Sequence, residues 1–523
     1  MWLKGKVSVA GSRTENATKN LKVAVICKMG LFGMAFVART VFIRILGAEY
    51  AGVSSLYSNL LNLLNLAEFG FGGVLTYELY KPLKEHDEET ITTLVALFKK
   101  IYSVVIAVVL GSGLLLIPFL GVIVKSNLNS RDLLIYYLLY LLNSVTSYFV
   151  AYRKIVIEAD QKRYIENLID VGSKFAMYLF QTVYLIFTKD FLGYLILQIL
   201  FTVLMNVILH RISLKMYPYL RKLPRKQSIS EDSRKRIYRN SRSMFITKLS
   251  IVVLNQTDSI IISILFGTVM VGYYSNYYML VTYILSIYGI VFSSIEASVG
   301  NLNVDAASKK SFQVYKRLDY MLFCVNLICT VVFLCVVQDF IGVWIGEQYR
   351  QGFSLVLSLM FSFYLQCAMD ITSTFRQTMG LFVVTKRVYP VMVVLNVILS
   401  VILGKWIGIT GVALATGASR LLTSFWYEGK CVYLKMGHRL GEYLCRQTYF
   451  FLVLIATGGI SYCICRSLPV TGILAVLIKG LASLLIAIAA LVVTGYRTEE
   501  WKWMRRRICS VLERQKILTK LKK

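Results

Sequence analysis

A chain of 523 residues that is 57% hydrophobic and only 16% charged, with a mean hydropathy of +0.62, lacks the polar surface of a water-soluble protein, since soluble chains average about a quarter charged. Its net charge of +30 does not indicate a nucleic-acid partner, because the basic residues lie between apolar runs rather than on one soluble face. Ten cysteines with no CxxC pair, Cys463 and Cys465 being the closest, and three scattered histidines exclude a disulfide framework and a metal-site signature.

In lipid every backbone polar group must be satisfied within its own segment or a closed barrel. The apolar runs here are about twenty residues long rather than alternating ten-residue segments, which predicts helices. Residues 1–20 are polar and basic and are expected to form a cytoplasmic tail. The runs then fall at 23–46, 50–79, 97–124, 133–152, 166–188, 191–210, 244–266, 270–297, 319–345, 353–379, 385–406, 411–434, 447–466 and 470–496. That makes an all-α polytopic membrane protein of about fourteen spans. Every second connection, with both tails, is rich in Lys and Arg, and the opposite connections offer only Lys125, Arg131, Lys189, Arg350, Lys405 and Arg466. The asymmetry, roughly seven to one, places both termini inside. A basic segment at 211–243 is expected as a cytoplasmic loop and anionic-lipid contact.

Ionisable and amide groups inside apolar spans are functional suspects, because burying them in lipid is costly. The first span carries Lys28 and Arg39; eleven residues of helix end about 20° past three full turns, so the two share a face. The second reads SLYSNLLNLLNLAEFG, and Ser55, Ser58, Asn59, Asn62, Asn65 and Glu68 recur at helical spacing as one polar stripe. Asp170 and Lys174 form an i,i+4 pair in the fifth. The seventh carries Lys248, Asn255 and Asp258, the tenth Gln366, Asp370, Thr374 and Gln377 beside Arg376, and the twelfth Arg420. Spans 1–2 and 7–8 also echo one another at an offset of 220: Gly47 with Gly267, Gly52 with Gly272, Ser55 with Ser275 and Tyr57 with Tyr277. An even number of spans per half makes such repeats parallel, with the substrate site expected between them.

Three segments carry a resemblance to a known family. Arg39–Ile91 holds Arg44, Leu46–Gly47, Tyr50–Gly52, Leu66–Gly70 and Leu79–Pro82; Thr257–Tyr277 reads TDSIIISILFGTVMVGYYSNY; and Phe375–Asn396 holds Arg376, Gly380 and Pro390. Together they resemble the polysaccharide-biosynthesis flippases of the multidrug/oligosaccharidyl-lipid/polysaccharide exporter superfamily. Phe69 and Phe71 depart from the smaller aliphatics usual there. The resemblance implies two six-helix bundles facing one another, 1–210 and 244–436, joined by the basic loop 211–243 and followed by two further spans in 437–496 and a basic tail, 497–523. It implies a flippase in a bacterial cell membrane that turns an undecaprenyl-diphosphate-linked oligosaccharide from the cytoplasmic to the outer leaflet by alternating access, for capsule, exopolysaccharide or O-antigen-type assembly. Membrane lipids, the polysaccharide polymerase and glycosyltransferases would be its other partners.

For such a substrate, Arg39, Lys28, Lys248, Arg376 and Arg420 are the candidates to meet the diphosphate. Asn59, Asn62, Asn65 and Glu68 are the candidates to meet sugar hydroxyls, as donors and acceptors. Asp258 and Asp370 are candidates for coupling to a proton or sodium, or, for Asp258, for neutralising an arginine. There is no Walker A pattern and no Ser/His/Asp constellation, so a transporter without a bound cofactor, driven by ions or membrane potential, is expected. A lipid II or drug exporter of the same superfamily is the alternative. A glycosyltransferase or polymerase fits less well, because the connections expected outside are short.

Overall fold

The computed structural model describes residues 13–64, 72–224, 231–300 and 309–507, with side chains from residue 30 onward except at 72–74, 231–248, 293–298, 300, 309–310 and 382–385. Among the described residues there is helix and no strand. The chain separates into two compact units, Met1–Gly272 and Tyr273–Lys523.

The first unit opens with α1 (Arg13–Leu64), which is broken at Gly47, where φ is 85°. Then come α2 (Gly72–Glu85), α3 (Glu88–Leu115), the short α4 (Leu120–Ile123), α5 (Ser130–Ser147), α6 (Ala151–Ala159), α7 (Arg163–Thr188), α8 (Phe191–Met216) and α9 (Glu231–Phe266). Helix starts follow local chemistry. Thr90 N–H donates to Asp87 Oδ1 at 2.9 Å at the head of α3, and Leu192 and Gly193 N–H donate to the Asp190 carboxylate at 3.0 and 2.8 Å at the head of α8. Both are side-chain N-caps, satisfying amides that a helix start leaves unpaired. Just beyond α8, Tyr217 donates to Asp160 Oδ2 at 2.7 Å; burial and then that carboxylate hold its phenol well above its usual pKa. α1 packs on α7, α5 and α9, and α5 and α7 pack on α8. The Phe191 ring, edge-on to Phe42, Tyr50 and Tyr136, closes the α1–α5–α8 seam.

The second unit takes over within α10 (Thr268–Gly300) and continues through α11 (Lys309–Trp344), α12 (Phe353–Thr378), α13 (Phe382–Ile407), α14 (Ile409–Arg420), a π-turn (Leu421–Phe425), α15 (Trp426–Lys435), α16 (Leu440–Ser467) and α17 (Gly472–Gly495). α13 and α12 both pack on α14, and α16 and α17 pack on each other and on α11.

Among the described residues, ten helices are long and apolar enough to cross a membrane, or eleven when α5 and α6, bent by 41°, count as one broken span. Their outer faces are apolar: Leu115, Trp406 and Val493 are 74%, 82% and 72% exposed. The protein is an all-α, multi-pass membrane protein. The about fourteen spans read from the sequence resolve into fewer continuous apolar helices for three physical reasons. α1 joins two spans across Gly47. α7 carries Arg163, Glu166, Asp170 and Lys174; its Asp170–Lys174 pair closes at 2.9 Å. The twelfth span is cut into α14, the π-turn and α15.

Two further features concern the middle of the chain. The segment 211–243 is helical over much of its described length: α8 runs on to Met216 and α9 begins at Glu231, so the described connection shrinks to residues 217–224, with 225–230 outside the described residues. Glu231 and Asp232 stand in the first turn of α9, where acids favour helix. The compact units divide at Gly272 and not near residue 243, because α9 packs on α1 and α4.

Candidate functional site

The internal offset of 220 reappears as geometry. Gly47 and Gly267 both have positive φ, 85° and 86°, a backbone region in which a Cβ is strained. Five residues on from each, two more glycines interlock. A Cβ built on Gly52 would collide with the Thr268 carbonyl, and one on Gly272 with the Ala48 carbonyl. Ala48 and Thr268 are themselves 220 apart, so each turn seats its carbonyl on the other's glycine, a reciprocal contact inside the first unit.

Beside these turns lies a cavity of about 720 Å³, lined by Glu49, Tyr57, Lys125, Ser126, Asn127 and Thr268 among others. The 124–130 connection crosses its wall as a strap. Ser263 Oγ donates to the Ile123 carbonyl at 2.6 Å, and Thr268 donates to the Lys125 carbonyl through N at 2.9 Å and Oγ1 at 3.2 Å. From the other turn, Glu49 Oε1 accepts from Ser126 Oγ at 2.7 Å and from Asn127 N at 2.6 Å. The lining thus mixes a carboxylate, an ammonium, hydroxyls and an amide, groups that can donate to and accept from polyols.

Of the residues singled out in the first unit, Arg39 is half-buried on α1, its guanidinium carbon 5.9 Å from the centre of the Phe42 ring. Asn59 is partly buried and its amide donates to Ser259 Oγ at 2.7 Å, tying α1 to α9 next to the buried Asp258. Asn62, one turn on, is exposed. The side chains of Lys28 and Lys248, and Asn65 and Glu68 altogether, lie outside the described residues.

In the second unit the tenth and twelfth spans meet through two cations. Arg376 is buried, its Nε 3.0 Å from Glu428 Oε2 and its Nη2 3.1 Å from Ser373 Oγ. Arg420, also buried, donates through Nη1 to Gln366 Oε1 at 3.0 Å and to the Ser362 carbonyl at 3.3 Å. Asp370 is half-buried on α12, one turn beyond Gln366, and its backbone carbonyl accepts from Thr374 Oγ1 at 3.0 Å. Arg376 therefore answers a carboxylate of α15, while Arg420 meets an amide and a carbonyl of α12.

A family model described as polysaccharide biosynthesis protein matches residues 17–295, more than half of the chain. The chain belongs to that family. Among solved structures, this member of the polysaccharide-biosynthesis family is similar to the lipid II flippase MurJ in an inward closed conformation, with 12% identity, 90% of this chain and 98% of that one covered, and a TM-score of 0.69. It is also similar to an inward-facing multidrug resistance MATE transporter of the MOP superfamily, with 14% identity, coverage of 79% and 98%, and a TM-score of 0.55. A Vibrio cholerae MATE transporter gives 13%, 84% and 99%, and 0.56. At such identities the likeness is one of fold. A search of curated protein sequences finds no match.

Several polar groups inside spans escaped the sequence reading. Asp319 accepts from Arg446 Nε at 2.6 Å and from Gln447 at 3.3 Å, with Glu500 3.2 Å from Arg446 Nη1. Lys479 meets Asp339 at 2.7 Å, and Glu428 faces Arg376. Asp319, Asp339, Glu428 and Lys479 are ionisable residues within apolar runs, the same signal that singled out Arg39. Around the 720 Å³ cavity, the signal is the polar connection Lys125–Ser130, between two apolar runs.

Proposed function

We propose that this protein is a flippase that carries a lipid-linked oligosaccharide, its sugar joined to undecaprenyl diphosphate, from the cytoplasmic to the outer leaflet of a bacterial cell membrane. Membership of the polysaccharide-biosynthesis family carries the reading, and the arrangement of polar groups supports it. A lipid-linked oligosaccharide asks for cations at the diphosphate, hydrogen-bonding groups at the sugars, and an apolar path for the polyprenyl tail. Arg39 and Arg420 are guanidiniums within or beside apolar spans, a residue type that can grip phosphate oxygens in pairs. Asn59, Gln366 and the strapped cavity offer amides and hydroxyls. An apolar groove of about 480 Å³ between α10, α11 and α17, lined by Ile284, Val336, Phe340 and Leu484 among others, suits a hydrocarbon chain.

The coupling residues remain Asp258 and Asp370 in this proposal, with a proton or sodium, or membrane potential on the net charge of the loaded site, as the driving force. Both termini are placed in the cytoplasm. The second reading is export of lipid II or a drug, favoured by the fold likeness to MurJ and to MATE transporters.

Deleting the gene and analysing the polyprenyl lipids of inverted and right-side-out vesicles decides between them. Accumulation of a short lipid-linked glycan in the cytoplasmic leaflet supports the proposal. Accumulated lipid II supports the second reading. Unchanged lipids with shortened polymer outside would point to a polymerase and overturn both.

A further inference from the structure

At the end of the second unit where α11 finishes and α17 begins, a cavity of about 410 Å³ is lined by Gln338, Asp339, Arg350, Arg466 and Lys479, with Phe353 and Tyr462 as an apolar wall. Its polar parts are fixed. Lys479 Nζ is 2.7 Å from Asp339 Oδ2, with the two side chains 13% and 20% exposed, and Arg350 Nη2 is 3.5 Å from Asp339 Oδ1. Arg350 Nη1 turns the other way, 2.9 Å from Glu347. Gln338 donates to the Gln351 carbonyl at 2.7 Å and accepts from Tyr277 at 3.1 Å. Phe353 and Tyr462 stack with centroids 4.4 Å apart. Arg466 stands exposed on the rim, and among the described residues no carboxylate lies within ion-pair distance of it.

The charges do not cancel. Lys479, Arg350 and Arg466 supply three positive charges, and Asp339 and Glu347 two negative, leaving one positive charge over. A lysine inside the apolar helix Gly472–Gly495 is costly; Asp339 answers Lys479 and Glu347 answers Arg350, which leaves the charge of Arg466 over. The surface beside it is apolar: Leu357, one turn along α12 from Phe353 in the cavity wall, is 48% exposed.

We infer that this cavity binds the phosphodiester of an anionic phospholipid. A phosphodiester carries one charge, matching the surplus, and its acyl chains would lie along the apolar wall of Phe353, Leu357 and Tyr462. A zwitterionic headgroup brings its own cation and leaves the surplus in place. Inorganic phosphate supplies the charge but leaves the apolar flank bare. The lipid would fasten α16 and α17 to α11 and make their packing depend on membrane composition. The cavity shares α11 and α17, but no lining residue, with the groove proposed for the polyprenyl tail; its test reads lipid binding and not transport, so it does not depend on what the protein carries.

The experiment is native mass spectrometry of the purified, delipidated full chain with phosphatidylglycerol, phosphatidylcholine or inorganic phosphate. Phosphatidylglycerol should be retained in preference to phosphatidylcholine. Arg466→Gln, on the rim, and Lys479→Met, which keeps the chain length, should each weaken its retention about tenfold, as expected for losing a charge-assisted hydrogen bond. Arg505→Gln, an exposed basic residue after α17, should retain it like the parent. Equal binding of the two lipids overturns the proposal. So does unchanged retention in well-folded Arg466→Gln, or an equal loss in Arg505→Gln, which would mark a diffuse basic surface. Displacement of phosphatidylglycerol by millimolar inorganic phosphate would assign the cavity to a free anion and overturn the lipid as its occupant.

Discussion

Arg376 is the cation whose role the structure lets one test most sharply. Its Nε lies 3.0 Å from Glu428 Oε2, and the two side chains are 4% and 1% exposed. At that separation, with an effective dielectric constant near 20, the attraction is about 5 kcal/mol. It is opposed by a desolvation cost of several kcal/mol for each ion. The two nearly offset, so the pair as a whole adds little, while either ion left alone is expensive. Arg376→Met and Glu428→Gln should each destabilise by about 3–5 kcal/mol, and the double variant should recover most of that loss. Unfolding by SDS in mixed micelles, followed by tryptophan fluorescence, gives the cycle, and polymer export in a deletion strain gives the function. If the costs simply add, the pair is not the unit described here. If the double variant is as stable as the parent yet exports nothing, the pair serves transport and not stability alone.

Arg39→Lys should reduce export in part and Arg39→Ala severely, because lysine keeps the charge and loses the fork; normal export by well-folded Arg39→Ala would remove it from the anion site. Gly52→Ala and Gly272→Ala should each cost about 1–3 kcal/mol, since each new Cβ meets a backbone carbonyl that cannot rotate away. The same micelle titration checks this, and a tolerated alanine at either position would contradict the reciprocal seat. Ser228→Cys, in the basic segment outside the described residues, should resist an impermeant maleimide in intact cells and react after permeabilisation; labelling from outside would reverse the topology.

The spans were legible because lipid demands long apolar helices, and Gly47 and Gly267 announced themselves by recurring at a fixed offset. What periodicity cannot supply is a partner. The polar stripe through Asn59 and Asn62 is evident in the sequence, but nothing there says that Asn59 turns to Ser259, 200 residues away, while Asn62 faces outward. Arg376 could be read as an intramembrane cation; its neutralisation by Glu428, 52 residues on, depends on how α12 meets α15. Lys479 and Asp339 are as conspicuous by residue type as Arg39, yet their pairing spans 140 residues. The division at Gly272 depends on packing between α9 and α1, which hydropathy does not encode.

The π-turn at Leu421–Phe425 acts as a phase shifter. Arg420 and Glu428 are eight residues apart and both reach α12. In an unbroken α-helix that spacing would set them about 80° apart around the axis; if the wide turn absorbs one residue, about 20° remains. Removing one residue between Leu421 and Phe425 would heal the helix and leave the two side chains in phase, whereas straightening the turn with every residue kept would swing Glu428 away from Arg376 by about 100°. A lineage could therefore lose one residue at this turn and keep the pair, but a residue added to the span in α-helical register would be read out at once as a buried, unanswered arginine.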